Sequence, residues 1–150
     1  MGKILCLDYG RRRIGVSMSD PLKLTAQPVD TWVDLDEKDM VVKIQIMVKN
    51  EGVERIVVGY PLTLRGQKGS SARKVERFMG MLSRTVPVPV SPWDERLSSA
   101  HAHRIMHQTD QKPSRRKERV DVMASMLILQ NYLDHVRLRA DRQGENPIEP

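Results

Sequence analysis

At 150 residues and 17.2 kDa, with 39% hydrophobic and 29% charged side chains, the chain has the size and balance of one globular domain, which excludes bulk disorder and a multidomain enzyme. Its single cysteine, Cys6, excludes an intramolecular disulfide and a cysteine-built metal site, and the apolar stretch before Asp8 is too short for a signal peptide or a membrane span, so a cytoplasmic protein without a membrane partner is expected. A formal charge of +6, from 25 Lys and Arg against 19 acids, points to a polyanionic partner, because such side chains gain affinity by displacing counterions from phosphates.

Ile4-Leu5-Cys6-Leu7 is a continuous apolar run closed by Asp8-Tyr9-Gly10, which reads as a central strand buried on both faces. After the basic turn Arg11-Arg12-Arg13, the alternation of Ile14, Val16 and Met18 predicts a half-covered strand running back beside the first as a hairpin. A third strand over Thr25 to Trp32 would lie at an edge or carry a bulge, since Pro28 cannot donate to a ladder. Met40, Val41, Ile44, Met47 and Val48 recur at helical spacing from Asp36 to about Asn50, with Asp34 or Asp36 as the cap and Gly52 as the stop. Arg55 to Val58 then gives a short strand that Gly59-Tyr60-Pro61 ends.

The polar stretch Leu62 to Ser71 reads as a mobile surface loop, followed by a helix whose core stripe is Val75, Phe78, Met79 and Leu82. The β-branched run from Val86 to Trp93 predicts a short strand interrupted by three prolines. Ser98 or Ser99 can cap a helix to about His107, residues 108–117 form a polar connection, and a final helix with an apolar middle runs from near Arg119 to about Val136. Residues 1–137 thus form the domain and 138–150 a disordered tail.

Three acids stand at element boundaries: Asp8 after the first strand, Glu95 after the last, and Asp121 in the first turn of the final helix. Singly, each has a structural explanation, as a turn-forming aspartate, a solvated Glu95/Arg96 pair, and a carboxylate at a helix N-terminus. Together they gain meaning because neighbouring strand ends in an open α/β sheet face a common crevice. Carboxylates gathered there repel unless a cation neutralises them, and hard oxygen donors favour Mg2+ or Mn2+ over zinc. Two such ions about 3.5–4 Å apart can orient water and stabilise the leaving oxygen in phosphodiester hydrolysis.

Rival signatures are incomplete. His103 and His107 stand at i, i+4 without the glutamate of a zinc protease, Gly66 to Ser71 departs from the spacing of a phosphate-binding loop, and no G-x-S-x-G elbow frames a nucleophile. The basic groups Arg11-Arg12-Arg13, Arg65/Lys68/Arg73 and Lys112/Arg115/Arg116/Lys117 fall in or beside the loops flanking the acids, where they would track phosphates.

Four segments occur in order: Leu7-Asp8-Tyr9-Gly10 with Arg13-Ile14-Gly15-Val16, then Val57 to Leu62, then Asp94-Glu95-Arg96-Leu97-Ser98-Ser99, then Asp121 to Leu133. In these the chain resembles the YqgF family, Holliday-junction-resolvase-like proteins described as pre-16S rRNA nucleases. The resemblance implies an α/β, RNase H-like fold with a mixed five-stranded sheet flanked by helices, and an endonuclease using Mg2+ or Mn2+ on structured nucleic acid. By position it makes Asp8, Glu95 and Asp121 the catalytic and metal-binding acids, with Asp94 beside them, Gly10 and Gly15 as hairpin glycines, and Arg96 as an orienting or phosphate-facing group. Nucleic-acid contacts are then expected from Arg11, Arg12, Arg65, Lys68, Arg73, Arg96, Lys112, Arg115 and Arg116. Three features depart from the family pattern: Tyr60 where leucine is usual, Ser98 and Ser99 where threonines are common, and the prolines before Trp93.

The expected partner is structured RNA, with branched DNA as the alternative, together with ribosome-assembly contacts, in a monomer or homodimer. Two other readings stand beside the nuclease. One is a non-catalytic nucleic-acid-binding factor in ribosome assembly or transcription; the other is an actin- or sugar-kinase-like phosphotransferase, which needs two such domains to enclose a nucleotide.

Overall fold

The apolar run near the N-terminus becomes β1 (Lys3–Tyr9), the middle strand of a five-stranded sheet. The computed structural model describes residues 2–10, 12–60, 69–94 and 113–144, with the backbone course alone at 70, 71, 113–120 and 142–144. β2 (Arg13–Ser19) returns antiparallel beside β1, and β3 (Ala26–Val33) pairs antiparallel with β2 at the edge. β4 (Val53–Tyr60) and β5 (Val90–Asp94) run parallel on the other side, giving the order β3-β2-β1-β4-β5. Two helices, α1 (Glu37–Glu51) and α2 (Ser70–Thr85), cover one face of this mixed sheet, and α3 (Pro113–Gly144) covers the other.

Alternation along β1 divides its side chains between two cores. Leu5 and Leu7 pack with Ile44, Phe78 and Leu82 under α1 and α2, whereas Ile4 and Cys6 pack with Ala124, Ile128, Leu129 and Leu133 of α3. Each large apolar side chain so buried contributes roughly 1.5–3 kcal/mol, which fixes the strand in register on both faces.

Local chemistry sets the boundaries. Asp36 caps α1 by accepting a hydrogen bond from the Asp39 backbone N–H at 2.9 Å, and Gly52 ends it in the left-handed region at φ 66°. Pro28 lies on the edge strand, as expected, and the β2–β3 register shifts beside it, between Val16 and Ser17. The prolines before Trp93 are accommodated because β5 pairs with β4 on one side, where Pro89 still accepts from the Ile56 N–H at 2.9 Å.

Expectations are corrected at β2 and along α3. β2 is buried on both faces rather than half-covered, because Gly15, Ser17 and Ser19 lie beneath α3. The two buried hydroxyls of Ser17 and Ser125 stand 2.7 Å apart and Ser125 Oγ also reaches the Cys6 carbonyl at 3.2 Å, so small polar residues satisfy one another where an apolar alternation gave no sign of cover.

The final helix is longer at both ends than its apolar stripe. It starts at Pro113, a residue suited to the first helical position because no N–H is needed there, and runs to Gly144, so residues 138–144 are helical rather than part of a disordered tail. Asp121 accordingly sits more than two turns inside α3, not in its first turn. The expected loop over Leu62 to Ser71 and the helix expected to end at His107 fall largely outside the described residues, although Ser70 and Ser71 already belong to α2. Among the described residues no helix is long and apolar enough to cross a membrane.

Candidate active site

The site end of the sheet is where β1 and β4 finish, at Tyr9 and Tyr60. The alternation that turns Ile4 and Cys6 toward α3 carries Asp8 to the same face, where it is 6% exposed. Its direct partner across the β1–β2 ladder is Gly15, and residues opposite one another in an antiparallel pair project from the same side. The space a side chain on Gly15 would fill is taken by the backbone carbonyl of Asp121, whose oxygen would stand 1.9 Å from a Cβ built there. Glycine is therefore what lets α3 sit against β2 and bring Asp121 beside Asp8.

Arg13 completes this group. It lies two residues before Gly15 on β2, hence on the same face, and its Nε stands 3.2 Å from Asp121 Oδ2 with the side chains 31% and 21% exposed. The contact is an ion pair in which Oδ2 receives no aligned hydrogen bond. The sequence offers Arg13 only as part of a phosphate-tracking basic turn, and the period of two that places Gly15 opposite Asp8 also places Arg13 on that face.

Other interactions hold α3 in place along its length. Gln130 Oε1 accepts from the Ala26 N–H at 3.0 Å and its amide donates to the Leu24 carbonyl at 2.9 Å, tying the helix to the start of β3. Trp93 donates through Nε1 to Asn131 Oδ1 at 2.9 Å and meets the rings of Tyr132 and His135 edge-on, tying the same helix to β5. α3 is thus pinned to both sides of the strand that carries Asp8.

Because Trp93 faces α3, strand alternation turns Asp94 to the opposite side, the side on which its ladder partner Tyr60 bonds Glu76 of α2. Asp94 therefore does not share the face of Asp8. On that same opposite side Tyr9 stacks on Phe78 with centroids 4.4 Å apart, and burial foremost, then the nearby Glu37, raises its phenol above the ordinary value.

Of the expected acids, Asp8 lies opposite Gly15 in the β1–β2 ladder and the backbone of Asp121 lies against that same glycine, while Glu95 lies outside the described residues. Arg11, Arg65, Lys68, Arg96 and Lys112 lie outside them as well. Arg12 is engaged with Asp34 through two hydrogen bonds of 3.0 and 3.3 Å, which hold the Asp34 carboxyl below its usual range. Arg73 is exposed near the start of α2, on the layer away from Asp8, and the backbone places Arg115 and Arg116 in the first turn of α3 rather than in a loop. A cavity of about 770 Å³ near Trp32, Met47 and Lys43 lies between α1 and the β2–β3 side of the sheet, away from the carboxylates. Among the described residues no three His, Cys, Asp or Glu gather as a metal-binding set.

Comparison with known proteins agrees with this architecture. A family model described as RuvX, Holliday junction resolvase, matches residues 2–135. The chain is 40% identical over 144 residues to a protein of Chloroflexus aurantiacus named "Putative pre-16S rRNA nuclease", covering 96% of this chain and 94% of the relative. A protein of the same name from Syntrophus aciditrophicus is 42% identical, with 89% of each chain covered. In structure the chain is similar to Thermus thermophilus RuvC in complex with a Holliday junction substrate, with a TM-score of 0.57, 14% identity, and coverage of 90% of this chain and 96% of RuvC. At that identity the likeness speaks for the fold, which is the RNase H-like arrangement of a mixed sheet between helices.

Proposed function

The chain belongs to the RuvX family and is a nuclease, and from that premise we propose that it is a metal-dependent endonuclease cutting structured RNA, at the 5′ end of the pre-16S rRNA. The observation that supports this reading is that Gly15 is bordered by Asp8 across the ladder and by the backbone of Asp121 above it. The substrate rests on the names of relatives that match nearly the whole chain.

The donor set fits a divalent cation in kind. Two carboxylates and one guanidinium leave the cluster net negative in a shielded place, and its donors are hard oxygens with no thiolate among them. Asp8, Asp121 and Glu95 are the residues we assign to hold Mg2+ or Mn2+, which would supply Lewis-acid stabilisation and an activated water. The chain itself positions the two described acids, keeps Asp8 from bulk solvent, and neutralises Asp121 through Arg13. Arg115 and Arg116 on the first turn of α3, with Arg11, Arg65, Lys68, Arg96 and Lys112, are assigned to follow phosphates, and Arg73, on the layer away from Asp8, is not. The buried lone thiol of Cys6 suits a cytoplasmic location.

The description of the matching family favours a second substrate, branched DNA. Incubating the purified chain with a pre-16S leader transcript and with a four-way DNA junction, in Mn2+ or Mg2+ and with a chelator control, separates the readings. Cleavage of the transcript, lost roughly a thousandfold or more in Asp8→Asn with binding retained, is the expected result. Cutting of the junction alone selects the second substrate, while equal cutting by Asp8→Asn, or binding by the parent without any cutting, refutes the catalytic assignment.

A further inference from the structure

We propose that Arg13 is an exchangeable counter-cation of the acidic centre: it holds Asp121 while no divalent ion is bound, and yields that carboxylate when one binds, leaving its guanidinium to face the phosphodiester. This rests on the proposed function and adds to it a residue that acts through Asp121.

The geometry favours exchange over permanent pairing. Arg13 Nε stands 3.2 Å from Asp121 Oδ2 without a hydrogen bond to that oxygen, whereas the adjacent Arg12 grips Asp34 with two hydrogen bonds of 3.0 and 3.3 Å. An ion pair without an aligned hydrogen bond lacks the directional strength of the two-bond fork and gives way more readily. At equal distance a divalent ion attracts a carboxylate twice as strongly as a guanidinium does. Strand alternation keeps Arg13 on the face of Asp8 and Gly15, so the side chain that gives up Asp121 remains over the centre. A planar guanidinium with several donors then matches a phosphate, which a carboxylate-locked one cannot. Before metal binds, the same side chain offsets the repulsion of two acids brought together across Gly15.

Two measurements test the exchange. Nitrogen NMR of the Arg13 Nε–H during Mg2+ titration of the full chain should show its signal shift to a new position, and the shift should vanish in Asp8→Asn. Calorimetric titration with Mn2+ should show roughly fivefold to tenfold tighter binding in Arg13→Gln, with affinity near that of the parent in Arg13→Lys, since competition of this size is typical of coupled sites. A purely structural arginine would lower the melting temperature without tightening metal binding. An Nε signal unmoved at saturating Mg2+, or Mn2+ affinity in Arg13→Gln equal to or below the parent's, overturns the inference while leaving the proposed function standing. Should Arg13→Gln fail to fold, the NMR titration of the parent still decides. No Mn2+ uptake by the parent overturns both.

Discussion

Gly15 lies directly beneath Asp121: a Cβ on the glycine would stand 1.9 Å from the aspartate's carbonyl oxygen and 2.5 Å from its carbonyl carbon. Both obstructing atoms belong to backbone, so neither can rotate aside, and either β2 or α3 must shift to admit a methyl group. Gly15→Ala is therefore expected to cost about 3 kcal/mol, at the upper end for an overpacked core, and to lower cleavage further by moving Asp121 away from Asp8. Denaturant unfolding paired with a cleavage assay checks this. A loss of roughly 0.5 kcal/mol or less would mean that the close approach does not hold α3 in place.

Much of this arrangement can be read from local patterns. The unbroken run Ile4 to Leu7 announces a strand buried on both faces, Asp36 and Gly52 bracket α1, and Pro28 marks an edge. Each depends on neighbours a few residues away. The burial of β2 on both faces escapes such reading because Gly15, Ser17 and Ser19 look like a solvent face until a helix is laid over them. The ends of α3 escape it too: Arg115 to Arg119 and Arg137 to Arg142 carry no apolar stripe because they extend past the packed middle, where helix-forming residues suffice without a core. Asp8 and Asp121 are each recognisable as candidates, but the approach of the Asp121 backbone to the strand beside Asp8 depends on packing at Gly15, which no spacing along the chain encodes.

The buried hydroxyl pair offers a second measurement. Ser125 Oγ is 2.7 Å from Ser17 Oγ and 3.2 Å from the Cys6 carbonyl oxygen, so Ser125→Ala removes a partner from two buried groups and should cost roughly 1–3 kcal/mol. Ser17→Ala leaves the Ser125 bond to Cys6 intact and should cost about 1 kcal/mol. The double variant should then cost less than the sum, with a coupling of roughly 1 kcal/mol in a thermodynamic cycle. Strict additivity would mean that the two hydroxyls do not depend on each other.

Stability should fall at both ends of the pH range for opposite reasons. Hydrogen bonds from the Thr25 and Leu24 amides lower Asp20, Arg12 lowers Asp34, and Lys23 lowers Glu54, so the charged forms favour the folded state. Their contribution is complete above the ordinary carboxylate values and is lost as pH falls through the depressed ones, below about pH 4. Tyr9 works in reverse, since burial and Glu37 raise its phenol: its contribution is present below its ordinary value and is lost as pH rises past it, above about pH 10. Urea midpoints should form a plateau between these limits. Asp20→Asn should soften the acid limb and Tyr9→Phe the alkaline one, and unchanged limbs in both variants would assign the titration to other groups.

The start of α3 bears on how nucleic acid is held. Asp121 lies eight positions after Pro113, so at about 1.5 Å per residue the helix continues roughly 12 Å beyond the point where it crosses Gly15 at the site end of β1. That overhang carries Arg115 and Arg116, while Arg12 is already engaged by Asp34. Each phosphate contact removed lowers the slope of log affinity against log salt by about 0.7 for a single strand and 0.9 for a duplex. Arg115→Gln with Arg116→Gln should therefore reduce the slope by about 1.4–1.8 and weaken binding alike on RNA and on a DNA junction, whereas Arg12→Gln should leave it nearly unchanged. Fluorescence anisotropy between about 50 and 200 mM salt measures both slopes. If the double variant kept the parent's slope while Arg73→Gln lowered it, the phosphate path would run over α2 instead, on the side of the sheet away from Asp8, and the overhang of α3 would have no part in binding.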